Sequence, residues 1–289
     1  MPTAQSHKAS GDRMVDTIMT HEPVIRLGIF TGVLVAMALW EIVAPRRTQR
    51  YRRWQRWPHN LMIVALDTLA VRLLFPLAAV GAALVATERG WGVFNELSAP
   101  EWLAVGASFV ALDVVIYFQH RLFHAVPWLW RLHRMHHADL EFDVTTGLRF
   151  HSLEILLSIG IKLAAVVVLG APALAVLIFE VVLNATSMFN HGNVRLPGWL
   201  DRRLRLFVVT PEMHRVHHSI VRRETDSNFG FNLPWWDRLF YTYRDQPAAG
   251  HLGMTLGIED FREARDLRLD RMLLQPFLSG PSDVKRTSS

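Results

Sequence analysis

The 289 residues are 51% hydrophobic with a mean hydropathy of +0.17, yet 20% are charged, so apolar and charged residues must be segregated along the chain. The net charge of +5 and pI near 10.0 come from arginines crowded beside apolar stretches, which favours a membrane surface over nucleic acid as partner. The absence of cysteine excludes disulfides, thiolate-ligated haem, iron–sulfur clusters and Cys-containing zinc fingers, leaving His, Asp and Glu to hold any metal.

Residues 1–22 read as a polar tail without the apolar core or cleavage site of a signal peptide. Residues 24–44 are long enough to cross a hydrocarbon layer, which needs roughly 20 residues. Arg46, Arg47, Arg50, Arg52, Arg53 and Arg56 follow, beside Trp54 and Trp57, a density of positive charge that marks the cytoplasmic side. A second span runs through 60–87, where Asp67 and Arg72 are expected to pair inside the bundle or snorkel. The weakly charged loop 88–99 suits the outer side, and 101–119 forms a third span that delivers His120 at its inner end. The stretch 152–190, broken at Gly170 and Pro172, accommodates two spans joined by an outer turn, or a re-entrant hairpin. Lys162 is awkward there at mid-depth. Either layout returns the chain to the side where it began. After 190 no apolar run is long enough to span, and 258–277 reads as an amphipathic helix lying against the bundle. The expected class is an all-α integral membrane bundle of four to five spans with a cytosolic helical cap.

Of fourteen histidines, ten lie between 120 and 218. Eight fall in three clusters: HRLFH (His120, His124), HRMHH (His133, His136, His137) and HRVHH (His214, His217, His218). Residues three and four apart share a helix face, with Cβ atoms about 5–6 Å apart, so each cluster is a preformed clamp of imidazoles. A catalytic zinc typically uses three protein ligands, so eight histidines suit two ions. Imidazole serves Zn, Cu, Fe and Ni alike; membrane location, the lack of an HExxH pattern and redox chemistry favour iron. A bis-histidine haem is the lesser alternative, since it needs only two histidines at membrane depth. A metal transporter or sensor is the rival function, and it predicts ligands along the spans at mid-depth. A structural membrane protein that has lost activity is a third, against which the complete clusters speak.

HxxxH, HxxHH and HxxHH in this order, with two apolar stretches before the third, resemble the fatty acid hydroxylase/sterol desaturase superfamily of membrane di-iron enzymes, in particular its bacterial members. LWRLHRMHHAD at 129–139, TTGLRFHSLE at 145–154, NHGN at 190–193 and TDSNFGFNLPWWDRLFYTY at 225–243 extend the likeness over roughly 105–277. The resemblance implies that the eight box histidines ligate two irons and that dioxygen and electrons from a separate protein drive hydroxylation or desaturation of a lipid C–H bond. Fatty acyl chains, sterol-like polycycles, alkylglycerol ethers and carotenoids are candidate substrates. The basic cytosolic face is a docking place for the donor, because the sequence holds neither a Rossmann fingerprint nor a fused haem domain. The inner (cytoplasmic) membrane, with the site facing the cytoplasm, is the expected location.

Some members have a further His pair spaced four apart after the last span. Here only His191 matches, with Arg195 at the other position, so His191 is either a ninth ligand or an ordinary span-end histidine. His151 is expected beside the site or facing substrate. Asp113, Glu154, Asp226 and Asn228 are candidates to orient metal-bound imidazoles, against simple capping or turn roles. The expected organisation is a tail at 1–22, spans and basic loop at 23–104, a catalytic domain at 105–258 and an amphipathic helix and tail at 259–289.

Overall fold

The computed structural model describes residue 15 and residues 17–280. Among the described residues, five helical stretches are long and apolar enough to cross a membrane, which makes this an integral membrane protein. The first is α1 (Glu22–Val43), opened by Pro23 and stopped before Pro45. The second is a single traverse of two helices, α2 (Arg53–Leu74) and α3 (Ala78–Arg89), separated at Phe75–Pro76–Leu77. The third, α4 (Glu101–Ala125), runs through both His120 and His124 before Pro127 turns the chain into α5 (Pro127–His137). The 152–190 stretch forms two helices of 18 residues each, α6 (Ser152–Leu169) and α7 (Ala173–Asn190), both long and apolar enough to cross.

The turn after α3 and the turn between α6 and α7 meet. Gly92 (φ +92°) and Gly170 (φ +64°) lie so close that a Cβ on Gly92 would stand 2.1 Å from the Gly170 nitrogen. Both turns therefore occupy one end of the bundle and the histidines the other. Between them α3, α4, α6 and α7 enclose an apolar core that includes Ala83, Leu112, Val166 and Phe179.

At the histidine end, α8 (Gly198–Leu204) and α9 (Pro211–His217) cover the bundle with the loops around them. The loop at 138–149 is almost wholly buried, so its polar groups need internal partners. Arg56 supplies them: Nε and Nη2 donate to Asp139 at 2.8 and 2.7 Å, and Nη1 to Asp143 at 2.6 Å. Burial opposes charge on both carboxyls, but the Arg56 guanidinium overrides it and holds each below the usual carboxylate range. The basic stretch is thus partly committed inward: Arg46 pairs with Glu212 and Arg53 donates to the Glu41 carbonyl, while Arg50 and Arg52 stay exposed.

Several expectations need correction. Of the two alternatives for Asp67 and Arg72, pairing does not occur, since Asp67 accepts from Ser152 Oγ at 2.5 Å, and Arg72 is exposed, as snorkelling requires. The 258–277 stretch is not one helix but short turns, with Ala264–Leu267 and Gln275–Phe277 flanking a helix of six residues at Leu269–Leu274. Pro276 and the alternation of short apolar pairs with charges leave no continuous apolar stripe. Residues 17–20 of the expected tail are helical, and Ile18 and Met19 pack on the apolar core. The remainder of that tail, 1–14 and 16, and residues 281–289 lie outside the described residues.

Candidate metal centre

Pro127 places α5 across the end of α4, so that His120 faces His133 and His124 faces His137, with 3.1 Å between the Nε2 atoms of each pair. Thr210 caps α9 by accepting from the Met213 N–H, and the helix presents His214 and His217 inward, with His218 as its C-terminal cap residue. Asn190 ends α7 and delivers His191 to the same space. Nine buried imidazoles result, in two groups whose ligand atoms lie within 4.8 Å of one another: His120, His124, His133, His137 and His217; and His136, His191, His214 and His218.

The outer nitrogens are tied down. Nδ1–H of His120, His136, His191 and His217 donates to the carbonyls of Phe229 (2.8 Å), Arg149 (3.2 Å), Ser187 (2.7 Å) and Ser227 (2.7 Å). His133 Nδ1–H donates to Glu154 Oε1 at 2.6 Å and His124 Nδ1–H to Asp226 Oδ1 at 3.2 Å. A carbonyl only accepts, so the proton sits on Nδ1 and Nε2 is left as a bare lone pair. These lone pairs converge: His191 Nε2 stands 3.2 Å from His136 Nε2, 3.2 Å from His218 Nε2 and 3.0 Å from His214 Nε2. His217 Nε2 is buried with no hydrogen-bond partner.

Facing lone pairs at that range repel unless a cation lies among them. Two nitrogens bound side by side on an ion at about 2.1 Å stand about 3 Å apart, so the observed spacing fits metal coordination. Burial, reinforced by neighbouring imidazoles, holds His136, His137, His214, His217 and His218 well below the ordinary histidine value, and burial lowers His191 to about 3. The rings are accordingly neutral, the form that binds metal.

The other expected residues divide. Glu154 accepts from His133 and Asp226 from His124. Asp113 touches no histidine: its carboxylate accepts from the Leu233 N–H and the Trp236 indole. Asn228 is a turn residue at φ +51°, stapled to the Met213 carbonyl and to both backbone groups of Arg244. His151 caps α6 by accepting from the Leu153 N–H, and its other nitrogen faces the Leu273 carbonyl. Asn228 instead anchors the NFG turn, where Asp237 accepts from the N–H groups of Phe229 and Gly230 and so aims the Phe229 carbonyl at His120, while Asp113 holds the stretch that follows.

Sequence reasoning missed the carbonyl acceptors and the Arg56 brace. It also missed Gly147, where a Cβ would stand 2.5 Å from the Ser187 carbonyl oxygen and 3.0 Å from His191 Nδ1. Glycine within TTGLRF was the available signal. Phe150 from the same segment stacks on His136 at 4.4 Å.

With this geometry in view, comparison with known proteins is decisive: residues 105–242, which hold all nine clustered histidines, match the fatty acid hydroxylase family. This stretch belongs to the fatty acid hydroxylase family. The family segment is similar to an ornithine lipid hydroxylase of Rhizobium tropici, 33% identical over 54% of this chain and 47% of that protein. It is also similar to human alkylglycerol monooxygenase, 27% identical over 54% of this chain and 34% of the relative. For human cholesterol 25-hydroxylase the figures are 31%, 46% and 48%. The chain thus spans half or less of the length of these relatives. No solved structure matches significantly.

Proposed function

We propose that the chain is a membrane lipid hydroxylase in which His120, His124, His133, His137 and His217 hold one iron ion and His136, His191, His214 and His218 a second. The observation that carries this reading is the convergence of nine buried imidazoles at metal-ligand spacing within a fatty acid hydroxylase-family segment. The iron pair would supply the activation of dioxygen that an unactivated C–H bond requires and that protein acids and bases do not provide. One oxygen atom enters the lipid as hydroxyl and the other leaves as water, which consumes two electrons and two protons. An external electron-transfer protein supplies the electrons in this proposal. The relatives' names, hydroxylase and monooxygenase, favour hydroxylation over desaturation.

The protein's own work is positional. The carbonyls of Phe229, Arg149, Ser187 and Ser227, with Glu154 and Asp226, fix the orientation of six of the nine rings and keep their Nε2 atoms directed inward. Burial excludes water from the site. The spans let a lipid approach without leaving the bilayer, worth about 0.8 kcal/mol per CH₂. Lipids named in the relatives, ornithine lipid, alkylglycerol and cholesterol, share a large apolar body, which supports a lipid substrate here. The region 105–258 is the proposed catalytic unit. Clustering of all nine histidines at one end, not along the spans, speaks against the transporter reading. The dense arginines after α1 support a cytoplasmic location for that end.

The test compares cells expressing the chain with cells expressing His136→Ala, by mass spectrometry of extracted lipids and by metal analysis of both purified proteins. A lipid that gains one oxygen only with the parent chain, together with iron that the variant loses, is the expected result. Iron-free parent protein with an unchanged lipid profile overturns the reading.

A further inference from the structure

The stretch after the last histidine box climbs away from the cap. Leu233 N–H and the Trp236 indole both donate to Asp113 Oδ2, at 3.3 and 2.7 Å. Asp113 stands seven residues before His120 on α4, a rise of roughly 10 Å along the span from the histidines. Beside it the Phe240 ring lies 5.5 Å from Tyr117 and 4.8 Å from Phe118, both on α4. The Trp235 indole donates to the Leu206 carbonyl at 2.6 Å, which joins this stretch to the turn after α8.

Apolar side chains on the joined turns nevertheless face outward: Trp199 is 57% exposed, Phe207 67%, Trp235 42% and Leu239 60%. With its N–H satisfied inside the protein, Trp235 presents only an apolar ring to its surroundings. Arg195, Arg202 and Arg203 are exposed on the same α7–α9 connection, and the Arg203 guanidinium lies 5.8 Å from the Trp199 ring centroid. Cationic side chains beside tryptophan suit a membrane–water boundary, where the ring sits among headgroups and the cation reaches phosphate.

We propose that the turns at 198–207 and 233–241 form a wedge that inserts into the leaflet on the histidine side, and that Arg202 and Arg203 bind anionic phospholipid headgroups there. The attachment to Asp113 sets the height of the wedge within the span. An acidic soluble protein would satisfy the arginines but leave the four outward apolar side chains at hydrocarbon depth without a partner. The wedge is continuous with the lipid-facing side of α4, where Phe118 and Leu122 are also exposed.

The cysteine-free sequence allows single reporters on the full chain. Leu239→Cys and Phe207→Cys, each spin-labelled and placed in phosphatidylcholine bilayers with and without phosphatidylglycerol, should collide more with dissolved oxygen than with a water-soluble nickel chelate. The opposite order at both sites overturns insertion. In parallel, native mass spectrometry counts phosphatidylglycerol retained over phosphatidylcholine by the parent and by Arg202→Gln/Arg203→Gln. Each arginine at an anionic surface favours it by about fivefold, so the double variant should lose roughly 25-fold in preference. An unchanged preference overturns the headgroup assignment. Both substituted side chains are exposed, and an unfolding temperature equal to the parent's verifies the fold of each variant. Neither readout needs turnover, so failure of the hydroxylase reading and failure of the wedge are separately visible.

Discussion

At His133 one ring nitrogen is committed to Glu154 and the other faces His120, so a single side chain connects the membrane helix α6 to the imidazole cluster. Glu154→Leu keeps the bulk but removes the acceptor of the His133 Nδ1–H, which orients the ring. On the proposed ligand assignment, metal retention against a competing chelator should fall about 10- to 100-fold, and equal retention would remove Glu154 from the site. Protons act on the same rings. Six histidines outside the spans, His136, His137, His191, His214, His217 and His218, have pKa values below the ordinary 6.5, so between the two values the unfolded chain binds more protons than the native one. Stability of the metal-free protein therefore rises with pH in that window and is lost on acidification below about pH 6.5, levelling above it. Denaturant midpoints of chelator-treated protein across that range check the sign; midpoints that improve on acidification would contradict it.

Helix packing at the end opposite the histidines depends on two backbones in close approach. Gly92→Ala places a Cβ against Gly170 in a positive-φ conformation and should cost about 1–3 kcal/mol, whereas Gly32→Ala on α1 has nothing within 4 Å and serves as the neutral control. Equal thermal stability of the two variants would show that the turns at Gly92 and Gly170 do not meet. Lower in the bundle, Glu180 of α7 pairs with Lys162 of α6 and with Arg26 of α1, tying three spans through one carboxylate. Lys162, awkward when α6 is read alone, is thus half of an ion pair. Glu180→Gln leaves the buried Lys162 uncompensated, while Arg26 keeps Glu22, and should destabilise by about 3–5 kcal/mol, with partial recovery in Glu180→Gln/Lys162→Met. A double variant no more stable than the single one would deny the pairing.

Over the whole molecule, the histidine groups draw on α4, α5, α7 and α9, so a metal at the site holds together elements from His120 to His218. Metal that binds only the assembled site stabilises it by mass action, about 2.7 kcal/mol at a free concentration 100 times the dissociation constant. Chelation should therefore lower the unfolding temperature and metal addition restore it; an unfolding temperature indifferent to both would refute the shared site.

Much of this was legible in one dimension because it rests on local periodicity and composition. The spans are long apolar runs, their breaks fall at Pro45, Pro76, Gly170 and Pro172, and the histidine clamps are set by spacings of three and four on a helix. Parity of the spans then requires the boxes to meet at one end. What required the tertiary structure was every relation between distant segments: the grouping of His191 with His136, His214 and His218, and the division of nine histidines into five and four. The same holds for the backbone carbonyls that aim the rings, since every residue carries one and none stands out in a sequence. Asp113 and Asn228 show the limit most clearly, for a polar residue near a histidine cluster reads alike whether it orients a ring or anchors nearby backbone, and only the direction of its hydrogen bonds separates the two.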